Sequence, residues 1–79
     1  MNIRTSKQLG EAIRAQRLKL KLRQTDLARK ASVRQALISE LENGAISARV
    51  DTVIKVIAAL DLDLTIIPRQ SASFDPSEY

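Results

Sequence analysis

The sequence predicts a small all-α domain of four short helices followed by one short strand. Three observations carry that expectation. Apolar residues recur at the helical period in four separate runs, each bounded by cap or turn residues. At Asp61 the pattern changes to strict alternation, Leu62-Asp63-Leu64-Thr65-Ile66, which is the period of a strand. A chain of 79 residues suffices for one domain only.

The first helix is expected over about residues 7–20, with Ser6 as the N-cap whose hydroxyl accepts from an orphan backbone N–H. Leu9, Ile13 and Leu20 fall near one face, and Ala12 fills beside them. Residues 24–31 form the second helix, with Leu27, Ala28 and Ala31 inward, and Ser32-Val33 make a turn. The third helix covers residues 35–43, with Ile38 and Leu41 inward and Leu37 at the border. Gly44 then suits a left-handed helix stop. After a loop, residues 50–60 form the fourth helix, with Val50, Val53, Ile54, Ile57, Ala58 and Leu60 on its apolar side. That arc is wide enough to need more than one covering surface.

The strand has no second strand in the sequence to pair with, and a lone strand leaves its backbone groups unpaired. The simplest partner is its own copy across a two-fold axis, through Leu62, Leu64 and Ile66. An irregular segment packed on the fourth helix is the alternative. Residues 1–68 thus make the domain. Residues 69–79, rich in Ser, Pro and acids, read as a disordered tail in which Phe74 and Tyr79 either dock on a partner or are incidental.

Composition narrows the chemistry. The chain has no cysteine and no histidine, which removes disulfides, thiolate metal sites, the commonest metal ligand and the commonest general base. No metal or cofactor is expected. Thr25 and Asp26 invite an acid–base reading, but no nucleophile–base pair or glycine-rich phosphate cradle accompanies them. Asp26, in the first turn of a helix, complements the helix dipole instead. No enzyme is expected. No apolar run approaches the roughly 20 residues that span a bilayer, and the N-terminus lacks the apolar core of a secretory signal. Both point to a cytoplasmic address.

Charge is unevenly placed. Residues 1–39 carry ten Lys or Arg against two acids, a formal +8; residues 40–79 carry three against seven, a formal −4. A basic half of that kind suits a polyanion such as nucleic acid. A well-solvated helix surface is the plain alternative, and it is the ordinary role of Lys19, Lys21, Arg29 and Lys30.

The segment from Gln24 to Gly44 reads QTDLARKASVRQALISELENG. Two short helices joined by a tight turn form a helix-turn-helix unit, whose second helix can project its leading residues into a major groove. Ala28 is small where the helices cross, Val33 plugs the turn, and Ile38 with Leu41 fixes the second helix. Together with Leu9, Ile13, Arg17, Leu22, Thr52 and Leu60, this segment resembles the Cro/repressor-like (XRE) family over most of the chain. Arg34-Gln35-Ala36, the four-helix length and the strand-like ending resemble its HipB antitoxin branch.

The resemblance implies a lambda-repressor-like fold of four to five helices, with the C-terminal strand paired across a homodimer. It implies a repressor of a palindromic operator on double-stranded DNA that also neutralises a HipA-like serine/threonine kinase toxin. A stand-alone phage-type regulator without a toxin, and a helical adaptor that does not touch DNA, remain as alternatives. Base contacts are expected from Arg34, Gln35, Ala36 and Ser39, where Arg suits guanine, Gln adenine and Ala a thymine methyl. Phosphate contacts are expected from Gln24, Arg23 and Asn43. Arg17 and Glu42 match positions that form an ion pair in the family.

The chain also departs from the family. Lys21 and Ser32 stand where glycine is usual, Arg23 replaces a Ser/Thr cap, and Leu37 replaces a Thr.

Overall fold

The computed structural model describes residues 2–69 and contains α1 (Ser6–Lys19), α2 (Gln24–Ala31), α3 (Gln35–Glu42) and α4 (Val50–Ala59). α3 packs against both α1 and α2, and α4 packs against α2. Ile13, Leu27, Ile38, Leu41, Val56 and Leu60 are fully buried where these helices meet. Leu9, Leu20, Val33, Leu37 and Leu62 pack against that core from its edges.

α1 starts one residue earlier than expected, because Thr5 and not Ser6 is its N-cap. The Thr5 hydroxyl accepts from the Gln8 N–H at 3.1 Å, and the Gln8 side-chain oxygen accepts from the Arg4 N–H at 2.6 Å. A cap residue gains from a Gln three positions on that can reach back toward the cap. Thr5 has Gln8 at that spacing, whereas Ser6 has only Leu9.

All four helices end alike. The backbone turns left-handed at Lys21 (φ 59°), Ser32 (φ 58°), Gly44 (φ 79°) and Asp61 (φ 59°). At each end two N–H groups fold back on the last turn, as when Lys21 donates to Leu18 O at 3.0 Å and Leu22 to Arg17 O at 3.0 Å. Only one of the four positions is a glycine, so three side chains accept the steric cost of this conformation.

α4 buries half of the face expected, Val53, Ile57 and Leu60, together with Val56, and turns the other half outward. Val53, Val56, Ile57 and Leu60 are buried, while Val50 (72% exposed), Ile54 (46% exposed) and Ala58 face out. The buried set follows the i, i+3, i+4, i+7 row that meets α2. Val50, Ile54 and Ala58 form the next i, i+4, i+8 row, exposed, with Val50 and Ile54 on a cleft they share with Ile3 and Leu64.

The expected strand does not form within the single chain. Residues 62–69 adopt no regular secondary structure, and no strand occurs among the described residues. The reason is the lack of a partner, since a strand exists only as part of a ladder. Leu62 packs on the core, but Leu64 is 56% and Ile66 94% exposed. Residues 70–79, with Phe74 and Tyr79, lie outside the described residues.

Candidate nucleic-acid interface

Gly10 sets how closely α1 can approach α3. It is buried, and a Cβ there would run into the Leu41 carbonyl oxygen and lie 2.8 Å from that of Glu42. α1 therefore lies directly on the end of α3, which brings Arg17 within reach of Glu42.

Arg17 and Glu42 form the ion pair expected of them. Arg17 Nε donates to Glu42 Oε2 at 2.7 Å and Arg17 NH2 to Glu42 Oε1 at 3.0 Å, a two-pronged contact of guanidinium on carboxylate. Arg17 NH1 donates to the Leu22 carbonyl at 2.9 Å. Both side chains are buried. The hydrogen bond that Arg17 donates to Glu42 raises the Arg17 pKa further, against the opposing effect of burial, so this cation stays charged. α1 is thereby tied to the C-terminal end of α3.

Gln24, at the start of α2, joins the same carboxylate: its Nε2 donates to Glu42 Oε1 at 3.3 Å. The side chain expected to meet a phosphate is thus half-buried and bonded inward. A primary amide carries two N–H donors. One is used on Glu42, so the bond fixes the amide in place and leaves the other donor for a ligand.

Arg23 precedes α2 at its N-cap position, where its side chain accepts nothing. The missing cap is supplied from the other direction. Asp26 Oδ2 accepts from the Arg23 backbone N–H at 2.8 Å and from Arg23 Nε at 3.2 Å. Asp26 therefore does more than complement the dipole. The guanidinium and backbone hydrogen bonds from Arg23 hold its carboxyl below the usual value of 3.8.

The base-reading candidates cluster at the other end of α3. Arg34 is the N-cap of α3 with extended backbone, and Gln35 and Ala36 occupy the first turn; all three are exposed. The Arg34 side chain has no hydrogen-bonding or ionic partner among the described residues. Ser39 is half-buried one turn on, and Asn43, the C-cap of α3, is exposed. Of the sequence-predicted set, Arg23 and Gln24 open α2, while the rest lie along α3 and its caps, at the two ends. Arg34, Gln35 and Ala36 lie at the front, while Asn43 lies at the back, beside the Glu42 that binds Gln24.

Two residues important for the site's geometry were not picked out from sequence. Gly10 is one, and its signal was a glycine inside an otherwise helical run. Val56 is the other; fully buried, it joins the expected Val53, Ile57 and Leu60 in the row that anchors α4.

A helix-turn-helix family model matches residues 13–67. The chain belongs to the helix-turn-helix family. Among curated relatives of this helix-turn-helix chain is Antitoxin HipB of Escherichia coli strain K12. It is 31% identical over 71 residues, which cover 90% of this chain and 81% of that protein. Two solved structures resemble it equally well. A HipB–O4 20mer complex superposes with a TM-score of 0.81 at 28% identity, covering 89% of this chain and 99% of that one. A HipA–HipB–O2–O3 complex does so with a TM-score of 0.80 at 28% identity, with the same coverage. Within the helix-turn-helix (XRE) family the chain is similar to HipB antitoxins of two Escherichia coli strains, at 31% identity to each. Among its described residues no helix is long and apolar enough to cross a membrane.

Proposed function

We propose that this protein is a dimeric, sequence-specific DNA-binding repressor that serves as the antitoxin of a HipA-like kinase and represses its own operon. It acts in the cytoplasm and catalyses no reaction. The observation that carries this reading is the exposed front end of α3, held outward by the Arg17–Glu42–Gln24 network at its other end. A rigid helix whose leading side chains are long, polar and unpartnered is built to reach base edges in a major groove.

In this reading Arg34, Gln35, Ala36 and Ser39 contact bases. Phosphates are met by Gln24, through its spare amide donor and the N–H groups opening α2, together with Arg23 and Asn43. Two copies pair through Leu62, Leu64 and Ile66, which closes the strand that one chain leaves open. The outward apolar row of α4 supports this pairing. Val50, Ile54 and Leu64 line one cleft, and Leu64, Ile66 and Ile67 line a second that shares Ile3 with it. Contiguous apolar surface of this kind marks an interface. Pairing places two α3 helices on half-sites about one helical turn apart. The HipA–HipB assembly of the relative supports a kinase-like partner for this chain.

Binding measured on a self-operator and on random DNA tests the reading. Arg34→Ala should weaken the operator complex by about 1–3 kcal/mol while barely touching random DNA. Gln24→Ala should weaken both. Equal losses on both DNAs for Arg34→Ala refute the role given to Arg34.

A further inference from the structure

We propose that Glu40 is a specificity-determining residue that reads a cytosine in each half-site through the cytosine amino group. The inference rests on the DNA-binding reading above and adds a base contact to it. Within α3, Ile38 and Leu41 are buried, whereas Gln35, Ala36, Glu40 and Asn43 are exposed. Ala36, Glu40 and Asn43 follow an i, i+4, i+7 spacing and therefore form one stripe along the helix. Glu40 stands between a base-reading candidate and a phosphate-contacting one. At 1.5 Å per residue it lies about 6 Å beyond Ala36, roughly two base-pair steps further along a groove.

Glu11, Asp61 and Asp63 are also without an ion pair among the described residues, but Glu40 is the unpaired acid on α3, the helix offered to DNA. Asp26 is paired with Arg23, Glu42 with Arg17 and Asp51 with Arg49. The Glu40 carboxylate has no hydrogen bond or ion pair among the described residues, although it stands on a helix meant to approach a polyanion. Against a phosphate such a group repels. In the major groove its fate depends on the base. A carboxylate only accepts hydrogen bonds. Guanine offers O6 and N7, and thymine O4, all acceptors that it repels. Adenine offers one amino donor beside the N7 acceptor. Cytosine's own major-groove edge carries only the N4 amino donor, the adjacent O6 acceptor belonging to the paired guanine, so a carboxylate can approach N4 from the cytosine side. Glu40 therefore favours cytosine and disfavours the other three bases.

The test is a set of binding titrations with each half-site position changed to every base, using the native protein, Glu40→Gln and Glu40→Ala. The exposed, unpartnered side chain makes both variants compatible with the native fold, which thermal melts verify. The native protein should prefer cytosine at one position by roughly tenfold or more. Glu40→Gln should move that preference to adenine, the partner of a side-chain amide, and leave the other positions unchanged. Glu40→Ala should flatten it. If Glu40→Ala instead tightens operator and random DNA by the same factor, the carboxylate faces phosphates and the assignment is overturned. Unchanged preferences in both variants overturn it as well, while the DNA-binding reading stands. A native protein that distinguishes no sequence sinks both.

Discussion

Removing the Glu42 carboxylate is the sharpest perturbation the structure offers. Glu42→Ala deletes both hydrogen bonds from Arg17 and the one from Gln24, leaving the buried guanidinium only the Leu22 carbonyl at 2.9 Å. An uncompensated buried charge costs about 3–5 kcal/mol. A 79-residue chain has in total about 4–12 kcal/mol of stability, so the variant should lose from about a quarter to all of it. Urea titration at fixed protein concentration measures this; with a slope of about 1 kcal/mol per molar, the midpoint should fall by about 3–5 M. The double variant Arg17→Met, Glu42→Leu removes both charges and should recover most of the loss, because the pair's attraction is largely offset by its desolvation. A single-variant loss below about 1 kcal/mol, the size expected of an exposed pair, refutes the reasoning. So does a double variant no more stable than Glu42→Ala.

Three further perturbations follow from the same geometry. Gly10→Ala gains helix propensity of about 1 kcal/mol but drives a Cβ into two backbone carbonyls of α3. Denaturant titration should show a net loss of about 2 kcal/mol, and a neutral result contradicts the packing described. Ser32→Gly relieves a left-handed serine and should stabilise by about 0.5–1 kcal/mol in thermal melts, whereas Gly44→Ala should do the reverse. Asp26 has its folded pKa lowered, so its contribution to stability is fully present above about pH 3.8 and is lost as the pH falls through the lower, folded value. The stability gap between the native protein and Asp26→Asn should therefore close only on acidification below that point.

Helix positions were legible in the sequence because each helix ends where local chemistry says it must. Gln24 and Ala31 bound α2 as expected, and the left-handed turns at Lys21 and Ser32 fall where the family keeps glycine. The inward row of α4 was less legible. Val50, Val53, Ile54, Val56, Ile57 and Leu60 are all apolar, so periodicity gives a wide arc without saying which part meets α2. Residues 62–66 present the opposite case. Their alternation specifies a surface, but nothing within one chain can pair with it. At the site, the residue types pointed to Arg34 and Gln35 directly. They did not show that Gln24 turns inward, because that bond depends on α2 and α3 meeting at Glu42, eighteen residues away.

That meeting point explains the division of labour along α3. Glu42 binds α1 through Arg17 and α2 through Gln24, so the C-terminal end of α3 is held by two neighbouring helices at once. The N-terminal end has no such restraint: its cap, Arg34, makes no side-chain hydrogen bond to the helix. A rod clamped at its base and free at its tip carries long side chains to a fixed place without fixing their last rotamers. On the function proposed above, Arg34 would lose rotamer entropy on the correct base, where two hydrogen bonds would offset the loss, and on a wrong base nothing would offset it. Clamping Arg34 to an acid within the protein would reduce that entropy loss but would make every base compete with the acid. On that proposal, discrimination at the tip depends on the rigidity being placed at the other end.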